Sequence, residues 1–153
     1  MEIKSRRSHL FGFIISLLFF FSCSETESEI PIVVLDAYLK KPLKGAHSTA
    51  AYMSLKNTSS YKIKIKGLTC NNLLAEFHQT AIKDSGMTSM NKLNLLTLEP
   101  QSEITLLPGK EHIMLIGKSM SNITEGINCD LIIEDIDSFP SFKRAPIFFE
   151  MRS

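Results

Sequence analysis

Short runs of strand-forming residues, separated by turn residues, fill the chain from residue 30 to its end. In the run YKIKIK at 61–66, lysines alternate with Tyr61, Ile63 and Ile65, which predicts a strand with those three residues facing inward and the lysines facing solvent. Segments rich in Asn, Ser, Gly, Asp and Pro lie between the runs, as turns require. The candidate strands are 32–38, 50–56, 61–68, 73–79, 93–98, 103–107, 112–117, 130–136 and 146–151. With no convincing amphipathic helix among them, they predict an all-β fold, a β-sandwich or small barrel.

The N-terminal segment has a different character. Three basic residues precede LFGFIISLLFFFS, an apolar run that ends at Cys23, so residues 1–22 are typical of a secretory signal peptide and too short to span a membrane. The stretch FFFSC also looks like a bacterial lipobox, in which Cys23 is lipidated, although Phe20 stands where Leu is usual. Plain cleavage near Ser22 is the alternative. Residues 23–30 then form a polar tether, and 31–153 form one domain.

Charge gives little reason to expect nucleic acid as a partner. Without residues 1–22 the chain keeps 14 basic and 15 acidic residues, so the mature protein is close to neutral. No nucleophile and base pair, Gly-rich phosphate loop or carboxylate pair with supporting context is found. The sequence therefore gives no positive indication of an enzyme.

The remaining cysteines, Cys70 and Cys129, would lie in an oxidising compartment if the chain is exported. A disulfide between them is possible. Two buried free thiols are an equal alternative, because sequence alone does not place their Cα atoms within bridging distance. Neither belongs to a CxxC motif, which argues against a thiol-based metal or redox site.

His112 and Met114 stand two residues apart in the stretch PGKEHIMLIGK at 108–118. Residues i and i+2 of a strand project from the same face, so these two side chains point the same way while Ile113 and Leu115 pack into the core. Pro108 and Gly109 are expected to form the preceding turn. The pair alone is a weak metal signal, because methionine is a common filler of core gaps.

Two more residues strengthen the metal hypothesis. Met90 lies 21 intervening residues before His112, and His78 lies 12 positions before Met90, both at predicted strand-to-loop edges. Two imidazoles and two thioethers suit Cu(I), because thioether sulfur is soft and neutral, and no anionic ligand favours the higher charge of Cu(II). Met87 is a possible substitute ligand; a solvent-exposed loop methionine is the alternative.

This spacing resembles that of the PCu(A)C periplasmic copper chaperones. Their signature is a histidine, an optional methionine, ten residues, a methionine, 21 residues and then His-x-Met, which here corresponds to His78, Gln79, Met90 and His112-Ile-Met114. The stretches AAYMSLKN and ITLLPGKEHIMLIGK also resemble the family's early strand and its Pro-Gly turn.

Departures from the family pattern reduce the sulfur available. Gln79 replaces the optional methionine, Lys110 stands where glycine is frequent, and Ile116 stands where a further methionine is common. The resemblance covers about residues 32–137, and the chain ends without the His/Met-rich tail of some members. One site per chain is therefore expected.

The resemblance implies a cupredoxin-like Greek-key sandwich that binds one Cu(I) through the four residues of the motif. It further implies a periplasmic chaperone that delivers copper to an oxidase subunit, towards the CuA centre of cytochrome c oxidase, or to another copper-transfer protein. Its contact with the membrane would be only the lipid on Cys23. A copper-buffering or resistance lipoprotein and a non-metal structural domain of the envelope are the alternatives.

Overall fold

The computed structural model describes residues 30–134 and 142–153. The predicted signal peptide, Cys23 and all of the predicted tether except Ile30 lie outside these residues. The described part contains ten strands and no helix, which confirms the all-β prediction. The strands are β1 (Ile32–Lys40), β2 (Ser48–Asn57), β3 (Ile63–Cys70), β4 (Leu74–Ile82), β5 (Thr88–Leu93), β6 (Leu96–Leu98), β7 (Glu103–Leu106), β8 (Glu111–Ile116), β9 (Gly126–Glu134) and β10 (Phe142–Arg152).

All ten strands belong to one sheet, in the order β5-β4-β8-β2-β1-β10-β9-β3-β6, with β7 beside β2. Among the described strands, only β1 and β10 pair in parallel. Strand β2 is shared along its length, because its first half pairs with β8 and its second half with β7. The sheet folds around one apolar core, as a β-barrel or sandwich does.

The core is formed by side chains that alternate along the strands. Leu39 of β1, Leu55 of β2, Ile113 and Leu115 of β8 and Phe149 of β10 have no exposed surface. The inward orientation predicted for Ile113 and Leu115 is therefore confirmed. The opposite face of β8 is left for His112 and Met114, and that alternation positions the site described below.

The predicted strand at 93–98 is wrong, because it spans the boundary between two strands. Strand β5 ends at Leu93 and pairs with β4, whereas β6 begins at Leu96 and pairs with β3, so the chain passes from one part of the sheet to another at 94–95. Residues 88–92 had no predicted strand, since TSMNK lacks an apolar alternation. Of the predicted strand 130–136, residues 135 and 136 lie outside the described residues.

Tyr61 was expected to face inward but is 47% exposed, and β3 begins only at Ile63. The backbone before β3 is held by Asn57, which has no exposed surface. The Asn57 amide nitrogen donates to the carbonyl oxygens of Tyr61 and Glu99, at 2.7 and 3.0 Å, and its oxygen accepts from the backbone and hydroxyl of Ser59. This side chain joins the end of β2 to the loops beside β3 and β6.

Cys70 and Cys129 lie directly opposite each other on the antiparallel strands β3 and β9. Their sulfur atoms are bonded, with the Cα atoms 4.3 Å apart, and both residues are buried. The sequence left open whether these cysteines form a disulfide or remain free thiols, and the structure contains the disulfide.

Replacing Asn57 by Ala should lower the free energy of unfolding by roughly 2–4 kcal/mol, because several partly buried polar groups lose their partners at once. Urea denaturation of the domain measures the change. Asn128→Ala, on an exposed position of β9, is the matched control and should alter stability by less than about 0.5 kcal/mol. Equal effects of the two substitutions would contradict the role given to Asn57.

Candidate metal site

Strands β5, β4 and β8 are neighbours in the sheet and carry all four sequence-predicted ligands. His78 of β4 lies directly opposite His112 of β8, and Met114 follows two residues later on the same face of β8. Met90 of β5 lies opposite Thr80, which is two residues from His78 on β4. The alternation of side chains therefore places the four on one face of three adjacent strands. His78 and Met90 lie within strands, not at the strand-to-loop edges expected from the sequence.

A tight hairpin fixes the register of β5 against β4. Lys83 donates its backbone N–H to the carbonyl of Met87, at 2.9 Å, and accepts from the N–H of Gly86. Gly86 has φ of 79°, a conformation that glycine adopts without a steric penalty. A slip of one residue in this hairpin would turn Met90 to the other face of the sheet.

A second turn leads into β8. The N–H of Lys110 donates to the carbonyl of Leu107, at 3.1 Å, with Pro108 and Gly109 as the central residues and φ of 78° at Gly109. This is the arrangement of a type II turn. The turn predicted at Pro108 and Gly109 is therefore confirmed, and it leads directly to His112.

Exposure rises across the site from β8 to β5. His112 is 4% exposed, the His78 side chain 16% and Met90 59%. Strand β5 is an end strand of the sheet, so the Met90 side of the site is open. An ion held here would be reached most easily from β5.

The ring of His112 is oriented by the backbone. Its Nδ1 lies 2.9 Å from the carbonyl oxygen of Lys110. A carbonyl oxygen can only accept, so Nδ1 carries the proton and the neutral ring presents Nε2 as its unprotonated nitrogen. His112 is thus in a tautomer that can bind a metal through Nε2.

The ring of His78 is oriented by a carboxylate. Its Nε2 lies 3.1 Å from Oε2 of Glu76, two residues earlier on the same face of β4. Its Nδ1 is buried and has no hydrogen-bond partner among the described residues. A buried nitrogen without a partner costs free energy, and a bound metal ion would satisfy it.

Glu76 also contacts Lys92 of β5, which lies opposite His78 in the next strand. The ammonium group of Lys92, and then the hydrogen bond from His78, hold the pKa of Glu76 below its usual value. The carboxylate is therefore kept ionised beside His78. The sequence analysis did not identify Glu76 or Lys92. The spacing of two residues between Glu76 and His78 could have indicated that these two side chains share a face of a strand.

The separation of the two imidazoles fits a shared ion. Their ring centroids are 6.0 Å apart. With a metal–nitrogen bond of about 2 Å, a shared ion would lie roughly 3 Å from each centroid. Within residues 30–134 and 142–153, no three His, Cys, Asp or Glu side chains form a group that could hold a metal. The two thioethers on the same face suit a soft ion.

Other residues of the motif lie outside this group. Gln79 is on the opposite face of β4 and donates from Nε2 to Glu111, at 2.8 Å. Met87 precedes β5 and is 62% exposed. Ile116 follows Met114 along the same face of β8, and Lys110 is exposed, with its carbonyl engaged by His112.

Nothing in the described part of the chain forms a helix of the length and apolar character needed to cross a membrane.

Comparison with solved structures shows the fold. The copper-bound PCuAC domain from PmoF2 matches with a TM-score of 0.62 at 19% identity, over 80% of this chain and 93% of that one. The apo PCuAC domain from PmoF1 matches with a TM-score of 0.62 at 18% identity, over 80% and 94%. The solution structure of apo-DR1885 from Deinococcus radiodurans matches with a TM-score of 0.53 at 23% identity, over 80% and 79%.

No curated protein matches the sequence. One family does: its sequence profile, "Putative lipoprotein LpqE-like", aligns with residues 32–134, which are more than half of the chain and include the whole of strands β1 to β9. The protein therefore belongs to the LpqE-like family.

Proposed function

We propose that this protein is a copper chaperone that binds one Cu(I) ion through His78, Met90, His112 and Met114. The observation that carries the proposal is the unpartnered Nδ1 of His78, buried directly across the strand pair from His112. Nδ1 of His78 and Nε2 of His112 would supply two nitrogens, and the methionines two sulfurs. Such a neutral N2S2 shell favours Cu(I) over Cu(II).

The fold supports the choice of metal. One of the solved domains that this chain resembles is a copper-bound PCuAC domain, at 19% identity. The four proposed ligands follow the spacing of the PCu(A)C signature, and these residues belong to one face of β5, β4 and β8.

The gradient of exposure suits delivery of the ion. His112 is buried, whereas Met90 is more than half exposed at an end strand of the sheet. A partner could replace the Met90 sulfur first while the histidines still hold the ion, because ligand exchange requires access to only one ligand at a time. We propose that the receiving protein is an oxidase subunit and that the copper is destined for its CuA centre.

The proposed location is outside the cytoplasm, in the bacterial periplasm. The apolar segment at 1–22 and the lipoprotein description of the family favour export with a lipid on Cys23. A diacylglyceryl adduct on Cys23 in the mass spectrum of the exported protein would establish the lipid anchor. An unmodified N-terminus would contradict the proposal of an anchor.

Competition with a chromophoric Cu(I) chelator tests the binding site. The wild-type domain should withdraw one equivalent of Cu(I) from the chelator, and Met90→Ala and His112→Ala should each weaken binding by more than about 100-fold, since even loss of an outer-shell partner commonly costs 10–100-fold. The matched controls are Met87→Ala and His47→Ala, both at exposed positions outside the proposed shell. Wild-type behaviour of the Met90 and His112 variants would contradict the assignment.

Copper transfer tests delivery against the alternative role of buffering. The Cu(I)-loaded protein is mixed without oxygen with the apo CuA-bearing fragment of an oxidase, and native mass spectrometry follows the metal. We expect copper to appear on the oxidase fragment, because the exposed Met90 ligand allows exchange without full release of the ion. Copper that stays on this protein would contradict delivery and favour a buffering role.

A further inference from the structure

We propose that Glu76 and Lys92 act together to select the copper-binding nitrogen of His78 and to keep a carboxylate out of the metal shell. The inference rests on the proposed copper site. It adds two positioning residues that bind no copper themselves. The choice of nitrogen follows from the contact of Oε2 of Glu76, and the exclusion of the carboxylate follows from the contact of Oε1.

Oxygen Oε2 of Glu76 selects the tautomer of His78. A carboxylate only accepts hydrogen bonds, so the 3.1 Å contact with Nε2 places the ring proton on that nitrogen. The lone pair is then on Nδ1, the buried nitrogen that has no partner in the described part of the chain. Histidines that bind metals commonly donate their other N–H to a carboxylate or a carbonyl, which fixes the ring and raises its basicity. His112 is oriented in a similar way, because its Nδ1–H donates to the backbone carbonyl of Lys110.

Oxygen Oε1 of Glu76 is held by the ammonium group of Lys92. This matters because Glu76 lies opposite Met114, on the face that carries the proposed ligands. A carboxylate free to turn here would add an anionic oxygen ligand to the shell. Such a ligand favours Cu(II), Zn(II) and other harder ions over Cu(I). Lys92 therefore preserves the neutral shell on which the choice of Cu(I) depends.

Burial distinguishes this ion pair from five others in the described part of the chain. The Glu76 side chain is 16% exposed, whereas the acidic partners in the pairs of Lys62, Lys64, Lys66 and Arg152 are at least 34% exposed. Exposed pairs of that kind add little to stability. A less exposed carboxylate with both oxygens engaged, next to an orphaned imidazole nitrogen, is better explained by a role at the site.

The tautomer is tested in the metal-free protein by nitrogen-15 NMR of the histidine rings. In the wild type, His78 should be protonated at Nε2. Glu76→Ala should lose this preference and weaken Cu(I) binding by about 10–100-fold. Glu76→Gln is the conservative variant: its amide oxygen still accepts from Nε2, so the tautomer and most of the affinity should return. An Nδ1-protonated ring in the wild type, or an unchanged ring in Glu76→Ala, would overturn the proposal.

The role of Lys92 is tested by metal selectivity. Lys92→Leu, which adds no donor atom, should raise the affinity for Zn(II) and Cu(II) by about tenfold or more, measured by competition with chelators, because the released carboxylate can ligate. The matched control is Lys62→Leu, which breaks an ion pair with Glu99 that lies away from the proposed ligands. Unchanged selectivity in Lys92→Leu, or an equal gain in the control, would overturn the proposed role of Lys92.

These readouts separate the inference from the proposed function. If the wild type fails to bind Cu(I) while His78 is still protonated at Nε2 through Glu76, the copper proposal fails and the orienting role stands. If the wild type binds Cu(I) but the Glu76 and Lys92 variants behave as it does, the copper proposal stands and this inference fails. Thermal unfolding of each variant verifies that it is folded; Lys92 is more than half exposed, so little loss of stability is expected.

Discussion

The pairing of β4 with β8 is the constraint on which the rest of the site depends. It places His78 directly across from His112, on the face opposite the buried pair Phe77 and Ile113. The hydrophobic effect enforces this choice, because a shift of β4 by one residue against β8 would expose Phe77 and turn His78 into the core in its place. The register that closes the core is thus the register that assembles the proposed ligands. No further structural feature is needed to bring the two histidines together.

The proposed ligands around this strand pair are held by different contacts. His112 is fixed by a backbone carbonyl on a buried strand, and His78 by a carboxylate on its own strand. Met90 is carried by an end strand whose position depends on one hairpin turn. A rigid pair of nitrogens with a more accessible sulfur at the edge suits an ion that must be held and then handed on. A buried cage of four fixed ligands would favour retention instead.

Sequence reasoning predicted the all-β fold because strand alternation is a local pattern, and it proposed the four ligands from their spacing along the chain. Alternation in a strand predicts that His112 and Met114 share a face, and it predicts the core role of Ile113 and Leu115. The existence of β5 could not be predicted in the same way. Its residues are mostly polar, and it is a strand because β4 offers it backbone hydrogen bonds, not because its own side chains seek the core.

The sequence also did not predict which residues contact each other across different strands. Lys92 contacts Glu76 because of the hairpin register. Tyr61, which was expected to face inward, lies before β3 and is exposed, and Asn57 binds its backbone carbonyl. The pairing of Cys70 with Cys129 depends on the opposition of β3 and β9, which no local pattern reveals. Local periodicity therefore identifies which face a residue occupies, while the register decides which residues meet across strands.

X-ray absorption spectroscopy of the Cu(I)-loaded protein tests the central claim most directly, because it identifies the atoms bound to the metal. Two nitrogen and two sulfur neighbours are expected for the wild type, with one sulfur lost in Met90→Ala. A shell of nitrogen and oxygen alone, or a sulfur count unaffected by Met90→Ala, would contradict a site formed by His78, Met90, His112 and Met114.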